Sequence, residues 1–180
     1  MFARLVFALS TVVALAISPG SADAANSKDV ARVKNVSRLG ECNRCDLSNA
    51  NFENGFFQLA ILNEVNFSGS NLNGANLAGA QLNNADLRNT TLHFANLSGA
   101  RLEGADLRGA DFSNAWLNWS WLVGAKLDGA NFTNTIFIGV QMQNTDFSQV
   151  KGLTQEQVGR ACASPQTKLP PGLRISYCQF

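Results

Sequence analysis

From Cys45 onward a large apolar residue stands at every fifth position of the chain. The beat runs Leu47, Phe52, Phe57, Leu62 and onward without a gap to Met142 and Phe147. It has 21 consecutive positions, of which 13 are Leu, 7 Phe and 1 Met. Two residues before each beat sits a small side chain. It is Ala in 12 cases and otherwise Cys45, Gly55, Val65, Ser70, Thr90, Ser120, Thr135, Val140 or Thr145. None of these 42 positions carries a charge.

The period decides the geometry. On an α-helix a step of five advances by about 500°, a drift near 140° per repeat, and the apolar residues would scatter over the whole surface. In extended chain, residues two apart share a face, so each small-x-large pair points one way. The next pair begins three residues later, an odd step that a straight strand would send to the opposite face. Keeping every pair inside requires one bend per repeat. Asn and Gly are frequent just after the beat, as at Asn49, Gly69, Gly74, Gly79, Gly99, Gly104 and Gly109, and both tolerate tight turns. The pattern predicts an all-β solenoid that winds around its own core and buries its faces only by stacking turn on turn.

Units such as Ala75-Asn76-Leu77-Ala78-Gly79 and Ala105-Asp106-Leu107-Arg108-Gly109 resemble those of the pentapeptide repeat family. The resemblance implies a right-handed quadrilateral β-helix with four pentapeptides to a coil. Residues 43–149 would then make about five coils and a rod roughly 25 Å tall. No insertion interrupts the beat, so no loop is expected to protrude from the rod.

The two ends read differently. Arg4 is the only charge before an apolar run from Leu5 to Ile17; Pro19 and Gly20 break that run, and Ala22-Asp23-Ala24 follows. These are the zones of a signal peptide over 1–24, cleaved between Ala24 and Ala25. The run is shorter than the ~20 residues that span a bilayer, so no membrane association is expected after cleavage. The expected location is the periplasm or the extracellular space, where thiols oxidise. Residues 25–42 form an N-terminal capping segment, with Val30, Val33, Val36 and Leu39 at three-residue spacing. They predict a short helix after Ser27, stopped by Gly40, that plugs the first coil. Cys42 lies one beat before Leu47 and Cys45 occupies a small inward position, so both thiols should face the core. A Cys-x-x-Cys can also be a redox pair or half a zinc site. Neither a second pair of ligands nor a βαβ pattern accompanies it, which favours a structural cap. Residues 150–180 form a C-terminal cap. Thr154 and Gln157 fit a capping box opening a helix to about Cys162, and Pro165, Pro170 and Pro171 then force irregular chain. The tail also resembles the ending of exported pentapeptide repeat proteins in Gly152-Leu153-Thr154, Cys162, Leu169-Pro170-Pro171-Gly172-Leu173 and Cys178. A Cys162–Cys178 disulfide closing that ending would contribute about 3 kcal/mol. Four cysteines allow three pairings, of which proximity favours Cys42–Cys45 with Cys162–Cys178.

Composition narrows the chemistry. Of 180 residues 46% are hydrophobic and only 15% charged, with a net charge of +1, one His, one Tyr and two Met. Such a balance gives no electrostatic reason to expect nucleic acid or an anionic membrane as partner. Some cytoplasmic members of the resembled family mimic DNA and bind type II topoisomerases, which implies a strongly acidic rod. Residues 46–150 hold nine acidic and four basic side chains, too few for a convincing phosphate duplex. His93 follows a beat and should point outward, with no cysteine beside it and no outward serine placed as a nucleophile. Asp86 and Asp106 stack in one column with Asp46 and Asp146, which could suggest acid/base work or a calcium site. Asn66 and Lys126 share that column, and a polar ladder is the better reading. No catalytic residue, cofactor or metal is expected. The function that fits is a non-enzymatic exported structural or protein-binding module with a protein partner. The alternatives are a DNA-mimicking topoisomerase-binding protein or a periplasmic thiol-redox or metal-binding protein.

A few outward positions break the polar rule together: Trp116, Trp119, Trp121, Val123, Ile136 and Ile138. Phe56, Leu59 and Ile61 stand three coils of the implied register before the three tryptophans and so share their columns. Exposed, such patches are costly unless something covers them. Either the tail folds back over the tryptophans and the N-terminal helix covers Phe56, or Trp116, Trp119, Trp121, Ile136 and Ile138 form an interaction patch.

Overall fold

Most pentapeptides close the same turn. In the computed structural model, which describes residues 28, 29, 33, 41–174 and 177, the beat carbonyl accepts a hydrogen bond from the N–H three residues on. Ala75 donates to Leu72 at 3.0 Å and Ala105 to Leu102 at 3.1 Å. The third residue of the turn has a positive φ at all 21 positions from 44 to 144, which marks type II turns. Nine of these corners are Gly and seven Asn, the residues that enter the left-handed region most cheaply.

Parallel bridges join each circuit to the next with one constant step, from Glu41 with Ile61 to Trp121 with Gln141 and Asn131 with Lys151. The step is four pentapeptides, which therefore make one circuit. A corner every five residues keeps the pairing to isolated bridges instead of long strands. The unit 95–99 accounts for every backbone donor. Ala95 N–H donates to Leu92 (3.1 Å), Asn96 to Ala75 (2.9 Å), Leu97 to Trp116 (2.7 Å) and Gly99 to Asn118 (2.8 Å). The remaining donor, Ser98 N–H, bonds the Asn96 side-chain oxygen at 3.0 Å. That last bond explains the Asn or Asp before so many beats, since it satisfies an outward N–H the ladder cannot reach.

The core is the beat itself: no beat residue is more than 3% exposed. Phe112 stacks on Phe132 at 5.2 Å, while Phe52, Phe57 and Phe67 meet edge to face. Hydroxyls at the small position are buried without penalty because they reach the circuit before: Ser70 Oγ donates to Leu47 C=O at 2.7 Å and Thr135 Oγ1 to Phe112 C=O at 2.8 Å. Ser120 Oγ is buried without such a partner. At the N-terminal end Lys28, Asp29 and Val33 are helical. Val33 joins the core, and the Asp29 carboxylate accepts from Asp46 N–H at 3.0 Å. The expected signal peptide, Val30, Val36 and Leu39 lie outside the described residues.

The C-terminal end corrects the sequence reading in two ways. Helix α1 is only Gln155–Gly159, capped by Arg160, and does not extend to Cys162. Its capping box forms, but one turn gains little by itself, and the chain beyond is drawn into the ladder. Cys162 N–H donates to Val140 C=O and Cys162 C=O accepts from Met142 N–H, both at 2.8 Å. The tail therefore abandons the five-residue spacing without abandoning the ladder. Gln141 pairs with Cys162 and Asp146 with Lys168, so the register slips by one position and then by two relative to the rod. Gln157 ties α1 down by donating to Phe132 C=O (3.1 Å) and Thr135 C=O (2.8 Å).

Candidate functional site: an uncharged side of the rod

The constant register sorts the surface into columns. One side of the rod is built from 55–59, 75–79, 95–99, 115–119 and 135–139, and not one of these residues is Asp, Glu, Lys, Arg or His. Trp116, Ile136 and Ile138 are exposed on it, with Trp119 at its corner. Phe56 and Leu59 are exposed on the same side, three circuits earlier. Trp121 stands just past the corner, with the Arg101 guanidinium 5.7 Å above its ring. Phe94, which the sequence reading did not single out, projects from the opposite corner and is 69% exposed.

The described residues of the tail do not cover the tryptophans. Trp116, Trp119 and Trp121 are 51, 64 and 44% exposed, and Phe56 is 49% exposed. The described part of the tail follows the ladder at the rod's end instead of folding back along the side. Helix α1 stands beside the last circuit of this side. It leaves an open groove of about 410 Å³ against Ile136 and Ile138, closed by Glu156, Gln157 and Arg160.

Backbone conformation sets these corners apart. Five of the 21 corners are neither Gly nor Asn: Arg44, Leu59, Glu64, Phe94 and Trp119. Arg44 and Glu64 pair with each other at 2.8 Å. The other three place a bulky apolar side chain at φ between 57 and 60°, a conformation that costs a non-glycine residue about 1–2 kcal/mol, and then expose it. The Trp119 indole lies flat along the rod over Gly139: a Cβ there would stand 2.8 Å from indole Cδ2 and closer to Cε3 and Cζ3.

Cys42 and Cys45 are buried and joined as a disulfide across the first turn. Cys162 is disulfide-bonded, while its expected partner Cys178 lies outside the described residues. Among the described residues no His, Cys, Asp and Glu gather as a metal site.

His93 has two partners on the next circuit. Its Nε2 faces Asp111 Oδ2 at 3.1 Å and its Nδ1 lies 2.6 Å from Ser113 Oγ. Nε2–H can donate to Asp111, and the direction of the Nδ1···Ser113 Oγ contact depends on the tautomer of the ring. This is a correction, because Ser113 stands one circuit after His93 and the register alone would have found it. The trio has the composition of a nucleophilic site but lacks its surroundings. Ser113 is 7% exposed. The nearby amides are already spent: Ser113 N–H on Asp111, Asn114 N–H on Thr133, Ala115 N–H on Phe112. None of these donors remains to hold an oxyanion, and the trio reads as a polar ladder. The carboxylate column reads likewise. Arg88 and Arg108 hold Asp86 and Asp106 by paired hydrogen bonds, the shorter of each 2.6 Å. These guanidinium bonds keep both carboxyls below their ordinary values, and so charged.

Comparison with known proteins gives a family model described as "Pentapeptide repeats", in eight copies, matching residues 41–77, 85–120 and 117–151. Among solved structures, a pentapeptide repeat protein from the Arabidopsis thaliana thylakoid lumen is 27% identical, with 64% of this chain and 72% of that one covered and a TM-score of 0.36. Rfr23 from the cyanobacterium Cyanothece is 31% identical, with coverages of 57% and 67% and a TM-score of 0.27. QnrB1, a plasmid-mediated fluoroquinolone resistance protein, is 18% identical, with coverages of 73% and 80% and a TM-score of 0.39. No curated protein matches the chain.

Proposed function

The chain belongs to the pentapeptide repeat family, and from that premise we propose that it is an exported, non-enzymatic structural or protein-binding module. Proteins of this family fold as right-handed quadrilateral β-helices. About five coils over 43–149 is the count that the regular ladder supports for this one. The observation that carries the binding reading is the exposed uncharged side with its three strained apolar corners. Strain of this kind persists where function needs it. Export is supported by the three-zone leader over 1–24 and by the Cys42–Cys45 disulfide, which suits an oxidising compartment. The acidic count of the rod gives the DNA-mimic alternative no support.

Expression with the native leader tests the reading. The mature protein should be recovered from the exported fraction beginning at Ala25, with Cys162 bridged to Cys178 by mass spectrometry. Immobilised, it should retain a protein from that fraction that a Trp116→Asn, Trp119→Gly variant releases. Recovery from the cytoplasm with the leader intact would overturn export. Inhibition of DNA supercoiling by the mature protein would favour the alternative.

A further inference from the structure

Resting on the protein-binding reading, we propose that the uncharged side docks an amphipathic α-helix of the partner, lying across the rod and at right angles to its axis. One corner column reads Leu59, Gly79, Gly99, Trp119, Gly139, so two bulky residues stand three circuits apart with only glycine between them. At the strand spacing of about 4.8 Å per circuit, their backbones are ~14 Å apart. Leu59 leans over Gly79: a Cβ there would stand 2.7 Å from Leu59 Cδ2. Trp119 leans in the same direction, over Gly139 and so away from the glycines between, and nothing lies within 4 Å above Gly99. What remains open is a notch about two circuits wide between atom centres, ~10 Å, which admits the apolar face of an α-helix and leaves the rest of its width of about 10–12 Å outside.

The notch has the chemistry of a helix seat. Its floor holds the small residues Ala78, Ser98 and Gly99, which allow close backbone approach, and no charge lies on the whole side. Phe56 and Leu59 form one wall and Trp116 and Trp119 the other, while Phe94 stands on the floor's own circuit at its far end. Local structure was given up to build the walls. Phe56 and Trp116 replace the Asn or Asp that bonds a backbone N–H in the unit 95–99, and Leu59, Phe94 and Trp119 occupy left-handed corners. A sequence that breaks its own rule repeatedly on one side does so for function.

Area decides against a second copy of the chain. Five circuits by one side of the rod give roughly 300 Å², against about 800 Å² per partner in a stable interface. An amphipathic helix that lays its apolar face into a groove is held by a few spaced anchors, which the exposed apolar side chains here can receive. A basic or acidic partner segment would find no counter-charge on this side.

The test uses the mature protein and two displayed peptide libraries, one helical and one extended and proline-rich. Helical binders should be enriched, with apolar residues at i, i+3, i+4 and i+7 and no charge on that stripe. Tryptophan emission should shift to the blue on binding. Ser98→Glu, which places a charge on the floor at an outward position, should weaken the selected helices at least tenfold. Phe94→Gly and Trp119→Gly should do the same with far-UV circular dichroism unchanged and no cooperative loss of the fold, because Gly relieves the strain at both corners and offsets the side-chain packing removed. Selection of extended or charged peptides instead, or affinity unchanged by Ser98→Glu, overturns the notch. So does concentration-dependent dimerisation abolished by Ser98→Glu. A natural partner whose footprint lies on another side sinks this inference but keeps the binding reading; a protein that retains no partner and selects no helix loses both.

Discussion

Placing a methyl group beneath the Trp119 indole measures how that ring is seated. Gly99 and Gly139 stand in the same corner column with φ of 68 and 67°, so alanine meets the same backbone strain at either position, about 1–2 kcal/mol. Their surroundings differ: nothing lies within 4 Å of a Cβ at position 99, whereas at 139 it would meet the indole at Cε3, Cζ3 and Cδ2. The ring ends in solvent and can swing away, so the extra cost is the packing it loses. Trp119 is 64% exposed; the covered third of a side chain this size is about 80 Å², worth at most ~2 kcal/mol. Partial loss gives about 1 kcal/mol. Gly139→Ala should therefore destabilise by about 1 kcal/mol more than Gly99→Ala, and the excess should vanish in a Trp119→Gly background. Urea unfolding of the four proteins, with an unchanged m-value, reads the coupling directly. Equal costs at 99 and 139, or an excess that survives removal of the indole, would mean the ring does not lie on Gly139. The notch over Gly99 would then have no open edge.

Two further outcomes test the rod and its end. Leu102 is fully buried at mid-rod, so Leu102→Ala should cost about 2–5 kcal/mol, while Glu103→Ala, beside it on the outside, should stay within about 0.5 kcal/mol; comparable melting shifts would break the register. Asp146 is held at a pKa of about 2 by hydrogen bonds from the Ser148 hydroxyl and N–H and from Lys168. Because that value is depressed, the stabilisation is present above the unfolded value near 4 and is lost as pH falls toward 2. Hydrogen exchange should show the 146–168 pairing loosening first in that window, and Asp146→Asn should remove the pH dependence.

The repeat was legible because one rule recurs without interruption. A five-residue beat with a small residue two before it admits no straight element, and the corner after Leu72 or Leu102 follows from that arithmetic. The same register contained more than its apolar beat. His93 and Ser113 are one circuit apart, and their contact at 2.6 Å needed only the same step applied to polar residues. Phe94 could have been found by asking which residues must adopt positive φ, since a phenylalanine at such a corner is both strained and exposed. The tail was illegible for a different reason. The slipped pairings at Cys162 and Lys168 have no period to betray them. They arise because α1 and the turn before Lys168 each take up an extra residue while hydrogen bonds hold the chain to the last circuit. Pattern predicts what repeats; pairing energy decides what happens where the pattern stops.

That division bears on how such a rod evolves a surface. In the unit 95–99 every backbone donor is satisfied by backbone or by the Asn before the beat, and the inward pair is fixed by the core. The residues before and after the beat and the corner remain variable, subject to two local preferences: Asn or Asp before the beat, Gly or Asn at the corner. Violating either has only a local cost, because ladder and core are untouched. Trp116 still pairs with Asn96 and Ile136 although its side chain caps nothing, and the Trp119 N–H still reaches Ile138 at 2.8 Å from a strained corner. The scaffold therefore tolerates a cluster of violations without a change of fold, each weakening the rod slightly and adding one side chain to a flat, rigid display. Scattered violations would signify drift. Here the three strained apolar corners and the exposed residues beside them share one side and its edges, the side on which no charge occurs.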